Sequence, residues 1–448
     1  MKVLLLLFTA IVLSVAAADP GTVSYDFVRT RSRSTHGDVP ASLENEVLQY
    51  MINITVGTPP QPVQVLLDTG SSDLWVMGYG NPYCSQTGIN NSTYNSSNEN
   101  DCNLGMFNPN ISETWTYINS DFNITYASGE YSVGIFGNET VTLLDGTRVP
   151  QVGTSVADIS TSQFGVMGIG FIGNEASNNT GTNPFTYANF PLRLQQTGII
   201  KTLAYSLYLD DINASTGTIL FGGVDHAKYT DGLWTVPMVQ DAYDMTKSNV
   251  PIEFYVAIDQ VTYGSGHGQP CNSSTSETTL TNGSFIGLLD SGTSGAYLPT
   301  YLYDQINSHF NLTNAGYEYP VTPCSGDYGE IKIYFSGVPI RVPLTDLLIP
   351  LASFGVQETG TPMCISGVLD GGNTTEATIG DIILRSAYVV YDLDNYEISL
   401  GQARYTNSSR IVPIVSGVPG AEPAADYIAP NLSRSAPPRV PLKRPSTL

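Results

Sequence analysis

The sequence predicts a mostly β protein made of two related lobes around a central cleft, and three observations carry that reading. From Gln49 to Asp394, short β-branched and aromatic runs alternate with Gly, Pro, Asn and Asp, the pattern of many hairpins. Helical periodicity is confined to a few stretches, such as Pro191 to Gln196 and Thr300 to Phe310. Finally, Leu66-Leu67-Asp68-Thr69-Gly70-Ser71-Ser72 returns as Leu288-Leu289-Asp290-Ser291-Gly292-Thr293-Ser294. A long-period repeat with only two copies implies paired lobes and not a solenoid.

Taken along the chain, the first element is a signal peptide over residues 1–18. Lys2 is a short positive start, Val3 to Val15 is almost wholly apolar, and Ala16-Ala17-Ala18 offers a small-residue cleavage pattern. The competing reading is a membrane anchor, but the run is shorter than the ~20 residues a span needs. Residues 19–44 are polar, with a basic cluster at Arg29, Arg31 and Arg33, and read as an irregular short pro-segment or leader. The first lobe is expected over 45–228 and the second over 229–404, with the junction near Val224 to Gly232. Runs such as Pro62 to Leu67, Phe122 to Tyr126, Lys332 to Phe335 and Tyr388 to Tyr391 are expected strands. Within the first lobe, Cys84 to Cys102 encloses an Asn/Ser-rich, exposed loop. The last segment, 405–448, is rich in Ser, Pro and Ala without a period, and is expected to pack loosely or not at all. Its polar end lacks the apolar tail of a lipid-anchor signal.

Composition narrows the function. Eighteen Lys and Arg face 40 Asp and Glu, a formal charge of -22. A field of that sign repels phosphate and anionic lipid, so neither nucleic acid nor an acidic membrane is an expected partner. A chain with few basic groups gains little positive charge when its carboxylates protonate, which suits work in acid. About fifteen Asn-x-Ser/Thr triplets, among them Asn90, Asn95, Asn138, Asn213 and Asn407, fit export, although an Asn- and Ser-rich chain also makes such triplets by chance. The reading is a secreted, extracellular monomer. Five cysteines and four scattered histidines show no zinc-like spacing, so no metal site is expected. In an oxidising compartment the simplest pairing is local, Cys84 with Cys102 and Cys324 with Cys364, leaving Cys271 odd.

The chemistry sits in the repeated loops. In each, an apolar strand fixes the backbone before an Asp, Gly70 or Gly292 allows a sharp turn, and the hydroxyl of Ser71 or Thr293 can donate to the carboxylate. Two such loops meeting at a pseudo-twofold axis would bring Asp68 and Asp290 together. Like charges that close cannot both ionise, so the pair shares one proton and titrates as a unit. One carboxylate can then activate a water while its protonated partner donates to a peptide carbonyl. No covalent intermediate, metal or cofactor is required. A single Asp-Thr-Gly turn would be weak support, since these residues gather in turns for structural reasons. Each copy here is followed by its own glycine element, Val166-Met167-Gly168 or Thr378-Ile379-Gly380, some 90 to 100 residues on.

With both loops, Trp75, Ile124-Thr125-Tyr126-Ala127-Ser128-Gly129 and Ile379-Gly380-Asp381 through Asp392 in place, the chain resembles the pepsin-like aspartic peptidases from about Gln49 to Arg404. The secretory features look most similar to the fungal candidapepsins and yapsins. The resemblance implies a bilobal acid-protease fold, a protein or peptide substrate, and Asp68 and Asp290 as the catalytic pair. It makes Tyr126 the flap tyrosine, hydrogen-bonded to Trp75, with Ser128 and Gly129 beside it as substrate-binding residues of the flap. It puts Leu66, Val166, Tyr126 and Thr293 on the cleft wall, and leaves Asp381 a structural carboxylate. Ala127 departs from the family's usual Gly, the leader is shorter than usual, and Cys271 matches no family partner. Two rival functions stay open on sequence: a non-enzymatic binding glycoprotein of the same fold, and a two-carboxylate glycosidase, whose acidic groups would stand farther apart.

Overall fold

A computed structural model describes residues 22–30, 49–82, 84, 102, 104–179, 184–214, 216–241, 245, 248–265, 277–314, 316, 317 and 319–428. The signal peptide, most of the Cys84 to Cys102 loop and Cys271 lie outside the described residues.

Alternation of apolar and polar residues sets the faces of the strands. In Glu330–Phe335 every second side chain is buried, and its hairpin partner Val338–Pro343 alternates in phase. Ser336 and Gly337 join them with positive φ at both positions, the twist a two-residue hairpin favours. Both expected helices are present, as Phe190–Gln196 and Thr300–Ser308. Asn189 caps the first by accepting from the Leu192 N–H.

Each lobe repeats one arrangement. In the first, Gln61–Asp68 runs parallel to Gly165–Gly168, while Leu74–Met77 returns antiparallel to it. In the second, Phe285–Leu289 runs parallel to Glu376–Ile379, and Ala296–Leu298 returns antiparallel. The carrier strands therefore end at equivalent points, Asp68 and Asp290.

A sheet common to both lobes lies beneath. Its hydrogen-bonded order is Val23–Thr30, Thr216–Phe221, Ala204–Tyr208, Ala387–Asp392, Glu397–Ala403 and Tyr229–Val239. Tyr205, Phe254 and Tyr391 stack above it in the main core. Ring pairs at such separations add about 0.5–1.5 kcal/mol beyond area burial, so this cluster ties the lobes to their floor.

Two expectations need correction. The segment after the signal peptide is not wholly irregular, because Val23–Thr30 is a strand of the floor, paired with both Thr216–Phe221 and Gln49–Val56. Nor do the described residues after 404, which end at 428, all pack loosely. Ile411–Pro413 pairs with Gly223–Asp225, and Ala421–Pro423 runs parallel to Leu233–Thr235. The cause is an apolar pocket over Tyr208, Val224, Leu233 and Tyr388, into which Ile414 is fully buried. The Asp225 carboxylate pins the approach by accepting from the Ser409 hydroxyl at 2.7 Å and the Arg410 N–H at 2.6 Å. Cys84 is bonded to Cys102 and Cys324 to Cys364, as the local pairing expected.

Candidate active site

The two repeated loops meet, and their backbones interlock. The Thr69 hydroxyl donates to the Leu289 carbonyl at 2.8 Å, and the Ser291 hydroxyl donates to the Leu67 carbonyl at 2.9 Å. Each hydroxyl oxygen also accepts the other loop's N–H, Thr69 N to Ser291 at 3.2 Å and Ser291 N to Thr69 at 2.9 Å. All four bonds are buried, and at about 1 kcal/mol net each they hold the loops in one register. Sequence reading passed over Thr69 and Ser291. The recurrence of a hydroxyl at the same place in both copies was the available signal.

Each carboxylate is braced by its own loop. Asp68 accepts from the Gly70 N–H at 2.7 Å and from the Ser71 hydroxyl. Asp290 accepts from the Gly292 N–H at 2.8 Å and the Thr293 hydroxyl at 2.6 Å. The glycines are needed for a reason beyond turning. A Cβ on Gly70 would stand 2.5 Å from Asp290 Oδ1, and one on Gly292 would stand 2.4 Å from Asp68 Oδ1. Any side chain there would push the carboxylates apart.

Asp68 and Asp290 approach closely enough to hydrogen-bond each other. Burial, followed by the Asp290 charge, pushes the Asp68 carboxyl well above the usual carboxylate range, against the opposing pull of Ser71 and Gly70. Such a pair retains one proton between its members where isolated carboxyls would both be ionised.

The hairpin over the pair comes from Thr116–Thr125 and Tyr131–Leu143. Its turn closes through Tyr126 N to Glu130 O and Gly129 N to Tyr126 O, both 2.9 Å, with Gly129 at φ 85°. Ala127 is exposed and has no left-handed backbone, so it fits the turn without strain. Trp75 Nε1 donates to the Tyr126 hydroxyl at 2.7 Å, as expected. Burial, followed by the Asp68 charge, raises the Tyr126 hydroxyl well above the usual phenol range, so it stays protonated beside the pair.

The cleft encloses about 560 Å³. Leu66, Val166, Tyr126, Ser128, Gly70, Ser71, Gly292 and Thr293 line it together with both aspartates. Gly129 closes the flap turn without lining the cleft, and Trp75 is buried behind Tyr126. Asp381 is buried outside the cleft.

Asp73 also lines the wall, and sequence reading gave it no role. It accepts from the Tyr187 hydroxyl and, at 2.8 Å, from the Ala176 N–H. Burial pushes its carboxyl up to about 6. Glu175 lies close by, fully buried and accepting from the Tyr187 N–H at 2.9 Å. Burial and then the Asp73 charge raise its carboxyl well above the usual range.

Comparison with known proteins agrees with this geometry. The family model for the eukaryotic aspartyl protease matches residues 49–403. The aspartic proteinase yapsin-3 of Saccharomyces cerevisiae is 35% identical, with 88% of this chain and 74% of yapsin-3 covered. A probable aspartic-type endopeptidase, opsB, of Aspergillus oryzae is 36% identical, covering 90% and 78%. Secreted aspartic protease 7 of Candida albicans is 35% identical, covering 83% and 63%. The chain belongs to the eukaryotic aspartyl protease family, and it is an aspartic endopeptidase.

Proposed function

We propose that Asp68 and Asp290 are the catalytic pair, working across the two lobes at 45–228 and 229–404. The observation that supports this most is the interlock of Thr69 and Ser291, which sets two braced carboxylates side by side at the cleft floor. The ionised carboxylate takes a proton from a water as its oxygen attacks the scissile carbonyl carbon. The protonated partner gives its proton to the carbonyl oxygen, which forms a neutral tetrahedral diol. Collapse of the diol breaks the C–N bond as one diol hydroxyl gives its proton to the ionised carboxylate and the nitrogen receives the proton of the other carboxyl, so one proton again remains on the pair. Ser71, Thr293 and the two glycine N–H groups keep the carboxylates in plane, while Tyr126 and Trp75 hold the flap over them.

The substrate is an extended peptide. Leu66 and Val166 give an apolar wall beside the pair, whereas Glu130 and Glu253 add carboxylates farther along, with no basic side chain in the lining among the described residues. That lining suits an apolar residue next to the scissile bond and basic residues in flanking positions. Both loops come from one chain, which fits action as a monomer. The signal-like start, the sequons, the disulfides and the secreted relative support release outside the cell. Among the described residues, no helix is long and apolar enough to cross a membrane.

The test is cleavage of quenched peptides that differ only in Lys or Glu flanking a Leu-Leu bond. Expected is pepstatin-blocked hydrolysis that peaks in acid and favours the Lys peptide. A profile centred at pH 7 or above, or hydrolysis insensitive to pepstatin, would overturn the reading.

A further inference from the structure

Ten of the Asn-x-Ser/Thr triplets have their Asn among the described residues, and of these asparagines Asn123 alone lines the cleft. Asn123-Ile124-Thr125 lies in the flap strand itself. Strand alternation turns Phe122 and Ile124 inward, onto the aromatic cluster around Trp75. Asn123 and Thr125 are exposed on the opposite face. Both also line the mouth of the cleft. The Asn123 amide enters no hydrogen bond among the described residues. By contrast, the Asn53 amide is half-buried and accepts from Gln64, and the Asn178 amide donates to Gly173 O.

We propose that Asn123 is a glycosylation site and that its glycan screens the entrance to the cleft. Asn123 Nδ2 displaces the diphosphate from C1 of a polyprenyl-diphosphate-linked oligosaccharide. A C–N bond forms, the C–O bond to diphosphate breaks, and the amide loses one proton. Thr125 supplies the hydroxyl that the acceptor triplet requires. A bulky, hydrated group rooted on the flap obstructs folded protein surfaces more than a thin, extended peptide. The enzyme is thereby biased toward flexible segments. This proposal rests on the secretory route proposed above.

The full chain is expressed in a glycosylating eukaryotic host, and occupied Asn residues are mapped by mass spectrometry after enzymatic deglycosylation to Asp. Asn123 should be occupied in the wild type and in Thr125→Ser, and unoccupied in Thr125→Ala. The ratio of kcat/KM on a folded protein to kcat/KM on a short peptide should rise at least about threefold in Thr125→Ala and in Asn123→Gln. Thr125→Ser should keep the wild-type ratio. Occupancy at Asn213 and Asn407, both exposed outside the cleft, with Asn123 empty overturns the flap site alone. A chain with no occupied sequon overturns it together with the secretory route. An occupied Asn123 with an unchanged ratio in Thr125→Ala overturns the screening role.

Discussion

At residue scale, Asp73 carries a marked pH signature beside the proposed catalytic pair. Its carboxyl is pushed up to about 6 in the folded protein from the ordinary 3.8, chiefly through burial. Folding therefore favours its protonated form. The stabilisation is complete below about pH 4 and is lost as pH rises through 6, a swing of up to roughly 3 kcal/mol. Glu175, raised for the same primary reason, acts in the same direction. Urea unfolding at pH 4 and pH 7, with pepstatin present to stop self-digestion, should show wild type losing more stability than Asp73→Asn by roughly 1–3 kcal/mol. Equal losses would remove Asp73 from the account. Sequence reading could not find this residue's role, because its partner Tyr187 lies 114 positions away and no local pattern joins them. Asp68 and Asp290 were legible because the repeat names both loops. The reach of Asp290 into the space above Gly70, which forbids a Cβ there, is visible only once the loops meet.

The flap shows what a single element contributes. Tyr126 lines the cleft beside Asp68 and is held by the Trp75 N–H, so it couples flap position to the cleft wall. Tyr126→Ala should lower kcat/KM by one to three orders of magnitude, roughly 1.4–4 kcal/mol. Ala127→Gly should change it by less than about tenfold, since Ala127 already adopts an ordinary backbone. Steady-state kinetics on one quenched peptide checks both, and a fully active Tyr126→Ala would displace the flap assignment. Alternation and turn residues made strand runs such as Lys332 to Phe335 readable. They did not disclose the two register shifts in the flap ladder, between Tyr117 and Phe122, because a bulge depends on its partner strand. The three-residue strands after Ser409 were missed for a related reason. They are too short to show a period, and edges of a sheet built from distant segments hold them in place.

For the whole molecule, duplication and charge act together. Two copies of one strand-loop-strand unit stand on a shared floor sheet, and their meeting line is the cleft. A chain of net charge -22 relaxes its self-repulsion as carboxylates protonate, so the fold and the shared-proton pair both favour acid. The paired lobes were legible from the repeat. The floor was not, since it joins residues 23–30 to strands nearly 200 positions away. The most direct test of the account is kcat/KM for Asp68→Asn and Asp290→Asn at the acid optimum, with circular dichroism confirming that each variant is folded. A shared-proton pair predicts that either change alone leaves less than about 1% of wild-type activity, because losing general acid–base catalysis costs ~10²–10⁴. A folded variant of either kind that retains more than about 1% would contradict it.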